Sequence, residues 1–218
     1  MNNRGIVIAI DGPAASGKST VARTLARRLG LAYVNSGAMY RAVTWWMVRQ
    51  GIDPNDAAAV IVNLPRMRME CGLDAGVSTI RIDGENPEPH LTDDIVNENV
   101  SAIARIPEVR RILVEKQRAF EARGDLVMEG RDIGSVVFPD TPYKFYVDAS
   151  PDIRARRRAL QGQRDAITDR DRADTSRKAS PLTIAEDAHV IDSSNLTIDG
   201  VVGEIIGRLK LKGLEAPE

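Results

Sequence analysis

The chain has 218 residues, 43% of them hydrophobic, with 30 Lys plus Arg against 31 Asp plus Glu and a formal charge of -1. That balance argues against a polyanion-binding protein and against global disorder, while the length and apolar share suffice for one domain with an inserted lobe. Cys71 is the sole cysteine and His90 and His189 stand far apart, which leaves no disulfide framework and no His/Cys cluster of zinc spacing.

The longest apolar runs, such as Ile6 to Ile10, are of strand length, so neither a membrane span nor a signal peptide is expected, and a reducing, cytoplasmic setting fits. Five segments read as buried strands: Ile6 to Ile10, Leu31 to Val34, Leu126 to Met128, Tyr143 to Val147 and Ala188 to Ile191. Between the first two, Val21, Ala22, Leu25, Ala26 and Leu29 fall on one helical face, and Gly30 stands where a C-terminal cap belongs. A second helix is expected from about Ala38 to Gln50, stopping at Gly51. Ser150-Pro151-Asp152 opens a helix after the fourth strand, and Ile198, Val201, Val202, Ile205, Ile206 and Leu209 mark the last one. Strands alternating with helices predict a five-stranded parallel α/β sheet in three layers.

The alternation breaks between Pro65 and Gly124. Met67 to Cys71 and Val77 to Ile82 alternate like exposed antiparallel strands, with Asp83-Gly84 as a hairpin turn signal. Thr92 to Ile106 and Pro107 to Arg123 read as two helices separated by the proline. The expected organisation is a core over 1–64, 125–153 and 179–218, an inserted substrate lobe over about 65–124, and a lid over about 154–178.

Gly12-Pro13-Ala14-Ala15-Ser16-Gly17-Lys18-Ser19-Thr20 contains G-x-x-x-x-G-K-[ST], after a strand and before an amphipathic helix. In that context the glycines let backbone N–H groups turn inward around phosphates, and the helix end adds partial positive charge. Lys18 then reaches the β and γ phosphates and the Ser19 hydroxyl ligates Mg²⁺, which makes the chain an ATP- or GTP-binding protein. A guanine-reading N-K-x-D is absent from the sequence. Glu129, at the end of the third strand, is a candidate Mg²⁺ ligand through water.

A kinase for a small anionic substrate needs cations from several directions. Asn35-Ser36-Gly37-Ala38-Met39-Tyr40-Arg41 and Glu129-Gly130-Arg131-Asp132-Ile133-Gly134-Ser135 both follow predicted parallel strands, where open α/β sheets bind ligands. The stretch Arg154 to Lys178 holds nine basic and four acidic residues. Such a run also fits a solvated face or a nucleic-acid patch, but it lacks aromatic residues for stacking bases. A mobile arginine-rich lid is the reading its spacing favours.

These motifs resemble one family: the bacterial cytidylate kinases, P-loop nucleoside monophosphate kinases specific for CMP and dCMP. The matching residues are Asp11 to Thr20, Ser36 to Arg41, Glu129 to Pro139, and Arg170 to Leu182, and they span nearly the whole chain. The resemblance implies ATP-dependent phosphorylation of CMP and dCMP with Mg²⁺ as cofactor, in a monomer that binds no nucleic acid. It implies that Ser36, Arg41, Arg131 and Arg177 contact the substrate phosphate, with Tyr40 in the same substrate-binding set. It also implies that Ser101, Arg110 and Asp132 read cytosine, and that Arg170 and Asp174 lie near the sugar hydroxyls. Lys18, Arg131, Arg170 and Arg177 become the catalytic set, and Arg157 joins the ATP-binding residues.

Two departures stand out. The family commonly has aspartate where this chain has Asn35, and between Gly162 and Ile167 the segment is shorter than in many relatives. The competing sequence readings are another P-loop small-molecule kinase, for a different nucleotide or a shikimate-like acceptor, and a non-enzymatic ATP-dependent nucleic-acid binder.

Overall fold

A computed structural model describes residues 5–160 and 182–214. Its contacts divide the chain into two compact units, one of residues 1–34 and 118–218, the other of residues 35–117.

In the first unit, β1 (Val7–Asp11) is buried along its whole length. It runs parallel to β5 (Leu126–Gly130) on one side and to β6 (Tyr143–Asp148) on the other. Beyond β6 lies β7 (His189–Asp192), also parallel. With β2 (Ala32–Asn35) beyond β5, the order is β2-β5-β1-β6-β7. Strands buried on both faces read as continuous apolar runs, which is why Ile8, Ile10, Val127, Phe145 and Val147 could be found without periodicity.

Helix α1 (Lys18–Leu29) packs Val21, Ala22, Leu25, Ala26 and Leu29 into this core. It ends as expected: Gly30 is left-handed at φ 65°, and Leu31 N–H reaches back to Ala26 O at 2.9 Å. Helix α7 (Ile198–Leu211), capped by the Thr197 hydroxyl, adds Val201, Val202, Ile205 and Leu209 to the same core. Between them in sequence, α6 (Pro151–Leu160) follows β6.

The second unit is built on α2 (Ser36–Arg49), whose first turn is capped by Asn35: its Oδ1 accepts from Ala38 N–H. The residue that departs from the family pattern thus has a defined local task, one an uncharged amide performs. Met39, Val43, Trp46 and Met47 from α2 share a core with Val96, Val100 and Ile103 of α4 (Asp94–Ile103) and Val109 and Leu113 of α5 (Pro107–Arg118). A further helix, α3 (Ala57–Asn63) capped by Asp56, lies in a stretch to which the sequence reading assigned no element.

The expected count of five strands is corrected to seven among the described residues. The two additional strands are β3 (Met69–Asp74) and β4 (Val77–Ile82), which pair antiparallel. Their alternation leaves Met69, Ile80 and Ile82 to bury, so the pair needs cover on one face only. The reversal between them falls at Ala75-Gly76, with φ of 46° and 76°. Asp83-Gly84, at 53° and 82°, makes a second tight turn directly after β4, closing Ile82 onto Glu85. Among the described residues no helix is long and apolar enough to cross a membrane.

Candidate active site

The phosphate loop leaves β1 at Asp11 and enters α1 at Gly17. Gly12 must be glycine, because a Cβ there would lie 2.1 Å from Val147 O. Gly17, at φ 92°, turns the chain into the helix, and Ala15 takes a left-handed φ of 60° with a side chain present, a strained conformation of the kind found at binding loops. Lys18 is buried, and its Nζ donates to Pro13 O at 2.9 Å. Ser19 and Thr20 present exposed side chains in the first helical turn, whereas Ser16 is fully buried and its Oγ has no hydrogen-bond partner among the described residues.

The loop is gripped from behind by α6. Arg154 Nε donates to Ala149 O at 2.9 Å and its Nη1 to Ala14 O at 3.4 Å. Arg157 Nη1 donates to Ser16 O at 3.1 Å, while its Nη2 donates to Ser193 O at 2.8 Å. Ser193 completes this lock, its hydroxyl donating to Ser16 O at 2.9 Å. Arg157, assigned to ATP by the resemblance, here supports the backbone of the phosphate loop; Ser193 carried no local sequence signal.

Parallel pairing places Gly130 beside Asp11, so the loop after β5 opens at the same sheet edge as the phosphate loop. Glu129 is buried there, with the Tyr33 hydroxyl donating to its Oε1 over a long 3.4 Å. Burial, then the neighbouring Glu129 charge, pushes the Tyr33 phenol well above its ordinary range. Arg131 is half-buried, with its Nη1 3.5 Å from Gly130 O, and Asp132 is buried before a single π-helical turn over Ile133–Val137.

Asp11, quoted above only as part of a motif, turns out to face this loop. Its Oδ1 accepts from Ile133 N–H and its Oδ2 from Gly134 N–H, both at 2.8 Å. Burial raises its pKa to about 7; the two N–H groups and Lys18 oppose that rise, and Asp132 adds to it. Burial also lifts the nearby Tyr146 phenol to about 12. An acid ending an otherwise apolar strand was the available signal for Asp11.

In the second unit, Ser36, Tyr40 and Arg41 stand on the first turns of α2, with Ser36 and Tyr40 buried and Arg41 half-buried. Arg41 Nε lies 3.5 Å from Oδ1 of Asn97, a residue the sequence reading passed over, and Asn97 is itself held by its Nδ2 donating to Thr92 O at 2.8 Å. Arg110 is buried on α5, its guanidinium 5.8 Å from the centre of the Tyr40 ring. Ser101 is half-buried on α4, the helix packed against α2. Arg170, Asp174 and Arg177 lie outside the described residues.

Hard oxygen groups, namely the Ser19 hydroxyl and the Glu129 carboxylate, are what a magnesium ion shared with ATP phosphates requires. No group of three or more His, Cys, Asp and Glu able to hold a metal occurs among the described residues, and Mg²⁺ held largely by nucleotide phosphates needs none.

The family profile described as cytidylate kinase matches residues 8–211. A cytidylate kinase of Streptomyces avermitilis is 41% identical over 206 residues, covering 90% of this chain and 89% of its own. One of Pelotomaculum thermopropionicum is 45% identical over 221 residues, covering 93% and 95%. Among solved structures, a shikimate kinase from Acinetobacter baumannii matches with a TM-score of 0.51 at 14% identity, covering 97% of this chain and 96% of that one. At such identity the likeness speaks for the α/β P-loop kinase fold alone.

Proposed function

This chain belongs to the cytidylate kinase family, and we propose that it transfers the γ-phosphoryl group of ATP to a phosphate oxygen of CMP or dCMP, giving ADP and CDP or dCDP. The observation that carries the reading is the shared sheet edge in the first unit, where a buried phosphate-loop lysine and the Glu129-Gly130-Arg131-Asp132 loop emerge beside one another.

In this proposal the loop from Gly12 to Thr20 wraps the ATP phosphates and Lys18 offsets charge on the transferred group. Arg154 and Arg157 hold the loop open from behind, so Arg157 serves ATP through the loop backbone. Ser19 would hold Mg²⁺ directly and Glu129 through water, and the bound ion would supply charge neutralisation for the nucleotide phosphates.

The acceptor needs no general base, because its phosphate is already largely dianionic at neutral pH, with a second pKa of about 6. One of its oxygens forms the new P–O bond to the γ phosphorus as the bond to the β-phosphate bridging oxygen breaks, and the electrons leave on ADP. The barrier lies in bringing anions together, which cations held in place reduce.

Ser36, Arg41 and Arg131 contact the acceptor phosphate. Ser101, Arg110 and Asp132 read the cytosine edge, which presents an amine donor beside ring and carbonyl acceptors. Tyr40, beneath the Arg110 guanidinium, orients it. Arg170, Asp174 and Arg177 keep the sugar and phosphate roles that the family motif gives them, and of the stretch 154–178 read as a lid, the part after α6 closes over a core and a monophosphate lobe while Arg154 and Arg157 stay with the phosphate loop. The reading extends to a monomer acting in the cytoplasm on free nucleotides.

A coupled ADP-release assay across CMP, dCMP, UMP, AMP and GMP tests it. CMP and dCMP should dominate, and equal turnover of AMP or GMP would refute the cytosine assignment.

A further inference from the structure

We propose that Asp11 is a positioning residue for the monophosphate substrate: a buried carboxylate that holds the Arg131-Asp132 loop at the root of the phosphate loop. Three observations converge on it. Asp11 is 5% exposed, and each of its oxygens accepts one backbone N–H, from Ile133 and from Gly134, at 2.8 Å. These are the first residues after Asp132, so fixing their amides fixes where Arg131 and Asp132 leave the sheet.

The approach is close enough to depend on a missing side chain. A Cβ on Gly134 would stand 3.4 Å from Asp11 Oδ2 and 3.1 Å from Lys144 Cγ. Lys144 in turn is held by its Nζ donating to Pro139 O at 2.6 Å and to Asp187 Oδ1 at 2.8 Å, so it has little freedom to retreat. A side chain at 134 would therefore press on the Lys144 stem and touch the carboxylate at ordinary contact distance.

Asp11 also precedes Gly12 directly, and Gly12 lies so close to Val147 O that it admits no side chain. The carboxylate thus joins two loops with separate tasks, one for ATP and one for the monophosphate. The two depend on it unequally. The phosphate loop has its own supports from Arg154, Arg157 and Ser193, whereas both amides that Asp11 receives belong to the Arg131-Asp132 loop. A carboxylate with both oxygens engaged by N–H donors is an anchor for backbone, and the dianionic acceptor gives it no proton to remove.

The inference rests on the proposed kinase reaction, and the test separates the two, because wild-type turnover reports on the reaction and the variants report on Asp11. Asp11→Asn keeps the size of the side chain but sets an amide N–H₂ against one of the two backbone N–H groups, leaving a buried donor unsatisfied. With the monophosphate that the wild type phosphorylates best as acceptor, we expect KM for that acceptor to rise about tenfold or more while KM for ATP stays within about threefold. Unchanged values, an equal rise in both, or a loss of thermal stability alone would overturn the proposal. If Asp11→Asn does not fold, Gly134→Ala, which displaces the loop through pressure on the Lys144 stem beside the same carboxylate, must show the same split. Failure of both variants to fold would make Asp11 a structural residue and overturn the assignment, as would a wild type that phosphorylates no monophosphate.

Discussion

The two units present their candidate functional groups in different ways. In the first, the groups stand at the ends of β1 and α1 and on α6, and each is tied by hydrogen bonds to loop backbone: Lys18 to Pro13 O, Arg154 to Ala14 O, Arg157 to Ser16 O, and Asp11 to two amides. In the second, Ser36, Tyr40, Arg41, Ser101 and Arg110 stand on helices whose apolar faces meet in one core. A loop wrapped around phosphates has no ladder of its own, so its shape must be supplied by side chains brought from elsewhere. A helix carries its own hydrogen bonds, and packing of its apolar face sets most of where its polar residues stand. Damage to the first unit should therefore appear as lost chemistry, and damage to the second as lost stability.

The largest effect expected from that contrast is at Lys18. Lys18→Met should lower kcat on the order of a thousandfold with the thermal unfolding midpoint retained, as steady-state kinetics and calorimetry would show. Retention of most of kcat would remove the phosphate loop from the mechanism. Next comes Leu113, fully buried in the core of the second unit. Leu113→Ala should cost about 2–5 kcal/mol in denaturant unfolding through the cavity it leaves, with KM for ATP close to the wild-type value. A large rise in KM for ATP with stability unchanged would break the comparison.

A further effect concerns pH. The Asp11 carboxyl is raised in the folded chain from 3.8 to about 7, chiefly by burial. The folded state therefore holds this proton where the unfolded chain has released it, and the stability that the group contributes is lost as pH rises through that interval. The stability of the wild type relative to Asp11→Asn should fall between about pH 4 and about pH 7 and level off above, in urea unfolding series. A gap that widens with pH would show that the two N–H groups and Lys18 outweigh burial.

Legibility in the sequence followed the same division. The phosphate loop, the cap at Gly30 and the strands of the first unit were accessible because each depends on local backbone geometry or on a short apolar run. Asp83-Gly84 does make a tight antiparallel turn, closing Ile82 onto Glu85, whereas the turn at Ala75-Gly76 that joins β3 to β4 went unread because only the pairing of the two strands reveals it. Helix α3 escaped because its large apolar residues Val60, Ile61 and Val62 are consecutive rather than helically spaced, and only Val60 is buried.

Balanced charge, a phosphate loop in its strand-helix setting and the Glu129-Gly130-Arg131-Asp132 motif were enough to identify a kinase of small anionic substrates, since phosphate wrapping constrains contiguous residues. The supports of that loop belong to another level. Asp11 meets Ile133 across 122 residues, Arg157 meets Ser16 across 141, and Ser193 meets Ser16 across 177. Burial and hydrogen bonding between positions so distant arise only when the sheet is assembled, because strand order brings the ends of β1 and β5 side by side.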